Sequence, residues 1–492
     1  LSGFVVSVFP VDCLVIAMVM GELAEGTEVA VIGGGPAGYT CAIRLAQLGK
    51  QVTVIEKEGL GGLCLLHGCI PSKALIHASS GAQLSREMAE IGVNVKFSGV
   101  DAAKLQQWKG SVVSRLNNGV KMLFTKLGVQ TIYGTAHFQG PKRIGIVTEK
   151  GGGALEFETC VIATGSTPRQ LPGLEFNGST VISSREALDL QQIPEKLIVV
   201  GGGYIGIELG TAYAKLGSKV TVVERGARIL PIIEQSASDI VLKRMQELGV
   251  EFYFNASHET PLERNGKAVL PVTTAEKGRV ELDADKILVA VGHTPNTGNL
   301  GLENAGVVLE TSGFVKVDSR RRTTASGIYA IGDVAGHPML AHKASREGKL
   351  VAEIIAGKDE EFSNKVVPSV VFSDPEVAQV GLQEADAQKQ GISIMTGLFP
   401  LRALGRSLTV NKTAGFVKLI ADSTTQAVLG GLVVGEDASD LIAEIALAVE
   451  AGLVLEDLAF TIHTHPTFSE AVGEAAEEAL GKAIHLLPRK LT

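Results

Sequence analysis

One phrase occurs twice in this chain, and it restricts the possible folds more than any other feature. TEVAVIGGGPAGYTCAIRLAQLGKQVTVIEK runs from Thr27 to Lys57, and KLIVVGGGYIGIELGTAYAKLGSKVTVVER from Lys196 to Arg225. Each copy opens on an apolar run, turns through glycines into a stretch with small residues on one helical face, and stops at Leu-Gly. Each then closes on a second apolar run ending in glutamate. An apolar strand, a helix and a second apolar strand in that order form a βαβ unit.

The turns carry a second signal. Gly33, Gly35 and Gly38 in the first copy, and Gly201, Gly203 and Gly206 in the second, give GxGxxG. In that spacing the first glycine permits the tight turn, the second lets backbone approach a pyrophosphate, and the third allows close packing of helix on strand. The phosphate then sits where free N–H groups point out of a helix N-terminus. An acid follows about 20 residues later, placed to accept a bond from a ribose hydroxyl; here these are Glu56 and Glu224. Two such sites imply two dinucleotides, and a flavin exchanging electrons with a nicotinamide is the usual use of the pair. Glu224 would repel a 2′-phosphate, which favours NAD over NADP.

With 492 residues the chain has room for about three domains. Apolar residues make up 45%, charged residues 20%, and the 58 glycines suit many tight βα turns, so the expected class is a folded α/β protein. The predicted division is an apolar extension at 1–26, an FAD-binding and central region at 27–168 and 294–362, an NAD-binding domain at 169–293, and a C-terminal interface domain at 363–492. Alternating strands from Lys365, then helical patterns in SDLIAEIALAVEAG and SEAVGEAAEEALGKAIHLL, give the last region an α+β character. The net charge of −8, with basic residues scattered, offers nothing to nucleic acid. Five unevenly spread cysteines are no secreted disulfide framework, which points to a reducing, cytoplasmic setting. The first twenty residues are almost wholly apolar, but Pro10 and Asp12 interrupt them and no Lys or Arg precedes Arg44. No stable membrane insertion is expected, and residues 1–19 read as an extension from a mis-called upstream start.

GGLCLLHGCIPSK, Gly61 to Lys73, sets Cys64 and Cys69 five positions apart. A structural zinc site takes four ligands and the chain has no second cysteine pair, so no metal is expected. A disulfide needs Cα atoms within about 7 Å, whereas five positions of regular helix span about 8 to 9 Å. The backbone between the cysteines must therefore be distorted, which Gly68 eases, and a strained, readily reduced bridge suits a redox pair better than a staple. Pro71 fits a first helical turn, which would put Cys69 near a helix N-terminus that stabilises its thiolate. His67, two residues before Cys69, would either raise the thiolate fraction or simply face solvent, and the second is the expectation. Thiol chemistry also wants a base. THTHPTFSEA sets His465 before a proline-fixed turn with Glu470 five residues on, where a carboxylate can orient an imidazole. In isolation such a pair is more often a helix-entry turn on a surface. GIYAIGDVAG ends an apolar strand in Asp333, at a βα junction of the kind where sugar hydroxyls bind.

Taken in order, GGGPAGY, GGLCLLHGCIPSK, ATGS, GGGYIGIELG, VTVVE, GDVAG, LAHKA and HTHPTFSE resemble the pyridine nucleotide-disulfide oxidoreductases over nearly everything from Glu28 to Leu486. The likeness is greatest to members that reoxidise dihydrolipoyl groups with NAD⁺. The resemblance implies two Rossmann-like dinucleotide-binding domains plus a C-terminal α+β dimerisation domain. It implies FAD held by Gly33, Gly35, Gly38, Glu56, Lys73, Thr164, Gly165, Asp333 and Ala341, and NAD held by Gly201, Gly203, Tyr204, Gly206, Glu224 and Gly292. Cys64 would exchange with substrate, Cys69 would contact the flavin, Lys73 would pair with Glu208 near it, and Tyr204 would cover the nicotinamide pocket. His465 and Glu470 would act on the disulfide of the other subunit, so the site would exist only in a homodimer. The implied partner is a lipoyl-bearing protein of a 2-oxo acid dehydrogenase, glycine cleavage or similar complex. The alternatives are another NAD(P)H-dependent disulfide reductase of the family and a catalytically silent flavoprotein subunit. The chain departs from the family pattern GGTCLNVGC at Leu63, Leu66 and His67, and also at HTPN from His293 and RALGR from Arg402.

Overall fold

The computed structural model describes residues 25–264 and 267–487; the extension read at 1–19 lies outside the described residues. β1 (Glu25–Ile32), α1 (Pro36–Gln47) and β2 (Val52–Glu56) build the first βαβ unit, with Val29 to Ile32 paired in parallel with Val52 to Ile55. Every residue of β2 is buried, because the sheet is covered on both faces. Val29, Val31 and Val54 pack with Leu45 of α1, while Ala30, Ile32 and Ile55 share a core with Phe138, Ile144 and Phe157. Side chains alternate across a strand, so burial on two faces calls for an uninterrupted apolar run. Pro36 takes the first position of α1, where its missing N–H has no intrahelical partner to lose.

α2 (Cys69–Glu87) and α3 (Ala102–Leu127) follow, and β3 (Gln130–Tyr133) extends the sheet beyond β2. Asp101 caps α3 by accepting from the Lys104 N–H at 3.0 Å, and Gly128 at φ 71° ends it. β4 (Thr135–Gly140), β5 (Arg143–Thr148) and β6 (Gly151–Ile162) form an antiparallel meander. The first half of β6 pairs with β5, while its second half runs parallel to β1. The strand Ile328–Ala330 pairs with the end of β6, Ile328 opposite Cys160 and Ala330 opposite Ile162. A segment far along the chain thus completes the first sheet and delivers Asp333 to it.

α4 (Ser184–Leu188) precedes the second unit, in which α5 (Tyr204–Leu216) connects the strands Lys196–Val200 and Lys219–Val223 of a five-stranded parallel sheet. A four-stranded antiparallel sheet between Ser257 and Ala284 flanks it. From Ser369 the chain forms a five-stranded antiparallel sheet with the helices Ala438–Ala451 and Glu470–Ala479 packed on it. The expected α/β class with a C-terminal α+β region is the observed one. Two details differ from the sequence-based expectation. A further strand, Ile394–Pro400, pairs with Phe416–Asp422 at the sheet edge; its Thr, Gly and Pro disguise the strand pattern, and Gly397 is required because a Cβ there would overlap the Ala475 carbonyl oxygen. The last helix stops at Ala479, short of Leu487, where Gly481 at φ 70° turns the chain away. No described helix is long and apolar enough to cross a membrane.

Candidate active site

Two glycine turns of the same construction leave the carboxyl ends of the two parallel sheets. Gly33 N–H donates to the Ile55 carbonyl at 2.8 Å, and Gly201 N–H to the Val223 carbonyl at 2.9 Å. Both take positive φ, 105° and 110°, and a Cβ on either would overlap a carbonyl oxygen, that of Ala163 or of Ala290. On Gly38 or Gly206 a Cβ would overlap the carbonyl of the first glycine in the same turn. The middle glycines differ: a Cβ on Gly203 would meet nothing within 4 Å, and on Gly35 only an ordinary contact at 3.8 Å. Bare backbone therefore faces open space only at the middle glycine, the side from which a pyrophosphate approaches. The acids brace both turns. Glu56 accepts from Gly34 N–H at 2.6 Å and Glu58 N–H at 2.7 Å, and Glu224 from Gly202 and Gly226 N–H groups at 2.5 Å each. The residues present fit two dinucleotides.

A cavity of about 550 Å³ opens before the first turn. Gly33, Gly35, Glu56, Thr164, Gly165, Asp333 and Ala341 line it together with Cys64, Cys69, Lys73 and Glu208, while Gly38 lies beneath in the helix-to-turn contact. A second cavity of about 630 Å³ stands before the second turn, lined by Gly201, Gly203, Glu224 and Gly292, with Gly206 beneath. Tyr204, the first residue of α5, lines both. Ile205 beside it does too, so the two sites meet at the start of α5.

The residues Leu63–His67 form a single π-helical turn, and α2 begins at Cys69. The i→i+5 repeat of such a turn brings positions five apart onto one side, which answers the spacing problem posed by Cys64 and Cys69. Both are free thiols. A hydrogen bond from the Cys64 thiol holds Cys69 below the ordinary thiol range, with burial opposing and the Lys73 ammonium assisting. The same bond, reinforced by burial, pushes Cys64 far up. The two shifts run in opposite directions, so Cys69, at the helix N-terminus, is the more readily ionised of the pair.

One turn along α2, Lys73 Nζ lies 2.8 Å from Glu208 Oε2. Glu208 is buried, and its other oxygen accepts from the Phe372 N–H at 3.0 Å. Lys73 also lies over the Phe372 ring, 4.2 Å from its centroid. First sheet region, second sheet region and C-terminal region are joined at this one carboxylate. His465 and Glu470 are brought to each other, with Nδ1 2.8 Å from Oε1, but they line neither cavity. Burial pushes the Glu470 carboxyl up, yet bonds from His465 and the Thr467 N–H leave it below the ordinary range. The His465 side chain is 78% exposed, on a surface rather than in a cleft of its own chain.

His67 does not face solvent as the sequence suggested. Its Nε2 is 2.6 Å from Arg185 Nη2, and Arg185 in turn pairs with Glu58 at 2.6 Å. Three residues without a shared motif, from the redox turn, the loop after β2 and α4, meet only through the fold. Ser166 is a second unanticipated contact, its hydroxyl donating to Asp333 Oδ2 at 2.6 Å. It stands inside ATGS, so that motif could have drawn attention to it. Nothing local could have found Arg185.

Fold and site together define a thiol–disulfide oxidoreductase that works between two dinucleotides. Residues 27–348 match the family Pyridine nucleotide-disulphide oxidoreductase, and residues 367–476 match its dimerisation domain. The chain belongs to this family. It is a flavin-dependent, NAD-linked enzyme whose cofactors are FAD and NAD, and it carries the family's dimerisation region. It is 47% identical to a protein of Haloferax volcanii named "Dihydrolipoyl dehydrogenase", over 96% of this chain and 100% of that protein. The protein of the same name from Geobacillus stearothermophilus is 44% identical over the same shares. Among solved structures, LpdA from Mycobacterium tuberculosis superposes with a TM-score of 0.85 at 31% identity, covering 92% of this chain and 99% of the other. The HOCl-induced flavoprotein disulfide reductase RclA from Escherichia coli gives 0.82 at 29% identity over 92% and 99%.

Proposed function

We propose that this enzyme reoxidises protein-bound dihydrolipoyl groups with NAD⁺, and that Cys64 and Cys69 are its exchanging pair. The carrying observation is the placement of Cys64 and Cys69 together in the lining of the cavity before the first glycine turn, with Cys69 the more readily ionised of the two. Full-length relatives named for this activity support the substrate class. In the exchange, His465 of the partner subunit takes the proton of a substrate thiol, and the resulting thiolate attacks Cys64 of the bridged pair. Cys69 leaves as a thiolate, held by Lys73 and the start of α2. The second substrate thiol then attacks the substrate sulfur of the mixed disulfide and Cys64 departs as a thiol, so that of the two substrate protons one ends on Cys64 and the other on His465, which releases it to solvent. Glu470 fixes the imidazole through Nδ1 so that Nε2 performs the transfer. Bound FAD and NAD⁺ supply electron-pair acceptance and hydride transfer. Tyr204 stands where the two sites meet and excludes water between them.

The proposed partner is a lipoyl-bearing protein of a 2-oxo acid dehydrogenase, glycine cleavage or similar complex, served by a homodimer. A reducing, cytoplasmic location fits the four described cysteines, all free. The deciding experiment is anaerobic: purified yellow protein given dihydrolipoamide or a dihydrolipoylated domain should reduce NAD⁺. No turnover with either substrate would reject this function.

A further inference from the structure

We propose that Glu347 and Lys343 are positioning residues for flavin binding: together they hold both ends of the turn that presents Asp333 to the first cavity. Glu347 belongs to the helix Ala341–Ile355, is fully buried and lines neither cavity. A buried carboxylate persists only where its charge and its oxygens are answered. Here Oε2 accepts the Gly332 N–H at 2.7 Å, and Oε1 lies 3.1 Å from both Lys343 Nζ and Arg321 Nη2. Lys343, one turn earlier on the same helix and itself buried, donates to the Gly336 carbonyl at 2.9 Å. Asp333 stands between these two anchors, in the single 3₁₀ turn Gly332–Ala335.

The turn begins where the sheet stops supporting it. The strand Ile328–Ala330 runs along β6, and the Ile331 N–H still donates to the Ile162 carbonyl at 3.0 Å. Gly332, the next residue, is buried at φ 76°, and Glu347 supplies the acceptor that its N–H needs there. The helix carrying both anchors is closely set in turn. A Cβ on Gly348 would fall 2.6 Å from the Ala37 carbonyl oxygen of α1, the helix that leaves the first glycine turn. The seating of one helix on the other therefore decides where the Glu347 carboxylate reaches. Ser166 holds the Asp333 side chain at Oδ2, while Glu347 and Lys343 hold the backbone beneath it. An acceptor aimed in advance spares a sugar hydroxyl the cost of ordering it on binding. The inference concerns flavin alone and stands whichever dithiol the enzyme serves.

The test reads flavin release from intact holoenzyme, kept in excess FAD until a timed ultrafiltration that retains only protein-bound flavin absorbance. Glu347→Ala and Lys343→Met should each release FAD roughly tenfold faster than wild type, the size expected for one lost buried hydrogen bond. The dissociation constant of NAD⁺, measured by equilibrium dialysis, should not move, since neither residue lines the second cavity. Glu347→Gln, which keeps an oxygen for the Gly332 N–H, should release flavin near the wild-type rate. Asp333→Asn should itself speed release, and adding Glu347→Ala to it should change little further. Unchanged release in Glu347→Ala, a glutamine variant as fast as alanine, or no effect of Asp333→Asn would each overturn the positioning role. So would full multiplication of the Glu347 and Asp333 effects, or an equal weakening of NAD⁺ binding. Should Glu347→Ala fail to fold, Lys343→Met, alone and combined with Asp333→Asn, tests the turn from its other end, and the same outcomes overturn the role. None of these readouts uses a dithiol, so failure of the proposed turnover and failure of the positioning role are seen separately.

Discussion

At Cys69 the Cys64 hydrogen bond and the Lys73 charge act against burial, and the first two prevail. Reduced protein should accordingly alkylate at Cys69 at pH values where an ordinary thiol, with a pKa of about 8.5, has become unreactive. Cys64 should lag behind it at every pH, which site-resolved alkylation would show. The sign for stability follows from a depressed folded pKa. The thiolate stabilises the reduced fold above the unfolded value, and that contribution is lost as pH falls through the folded one. Glu208 makes a second residue-scale case. Truncating it to Ala removes the acceptor for both Lys73 and the Phe372 N–H and leaves the Lys73 ammonium without its counter-charge. Because Lys73 is one-third exposed, the expected loss is about 2 kcal/mol rather than the larger cost of a fully buried pair, measurable from the urea midpoint.

Among the elements, the two glycine turns are near copies in geometry but serve different cavities, so they should fail separately. Gly206→Ala puts a methyl group on the Gly201 carbonyl and should weaken NAD⁺ binding by roughly tenfold or more by disturbing the helix-to-turn contact. The yellow flavin colour should survive. Gly38→Ala should do the reverse and release flavin during purification; loss of both cofactors in either variant would show that the turns are not independent. These turns were legible in the sequence because every requirement is met within a few residues: backbone sign at the first glycine, open approach at the second, close packing at the third. The antiparallel sheet between Ser257 and Ala284 was not, since strands such as Leu262–Arg264 are exposed along their whole length and show no alternation. The redox turn falls between. The five-residue spacing required a distorted backbone, while the particular distortion, a π turn braced by α4, depends on neighbours far along the chain.

Across the whole molecule, the proposed base and the thiol pair belong to different regions, and within one chain His465 lines neither cavity. If the second copy supplies it, inactive variants should complement each other. Random re-pairing of Cys64→Ser with His465→Gln protomers gives about half mixed dimers, each with one of its two sites intact, so roughly a quarter of wild-type turnover should return under two-fold symmetry. Turnover no higher than the mean of the two inactive parents would place both groups in one subunit. The same scale explains Glu208, which ties α2 to α5 and to Phe372. Contacts of that kind make the arrangement of regions, rather than any single domain, responsible for aligning the cavities.

The order of motifs along the chain determined the class of fold, the two dinucleotide turns and the identity of the paired cysteines, because each depends on local backbone geometry and on residues close in sequence. Only the tertiary structure decided that Tyr204 belongs to both cavities, that Ser166 holds Asp333, and that His67 turns inward to Arg185. Those outcomes depend on burial and on charges brought together from separate elements, and neither quantity exists until the chain has folded.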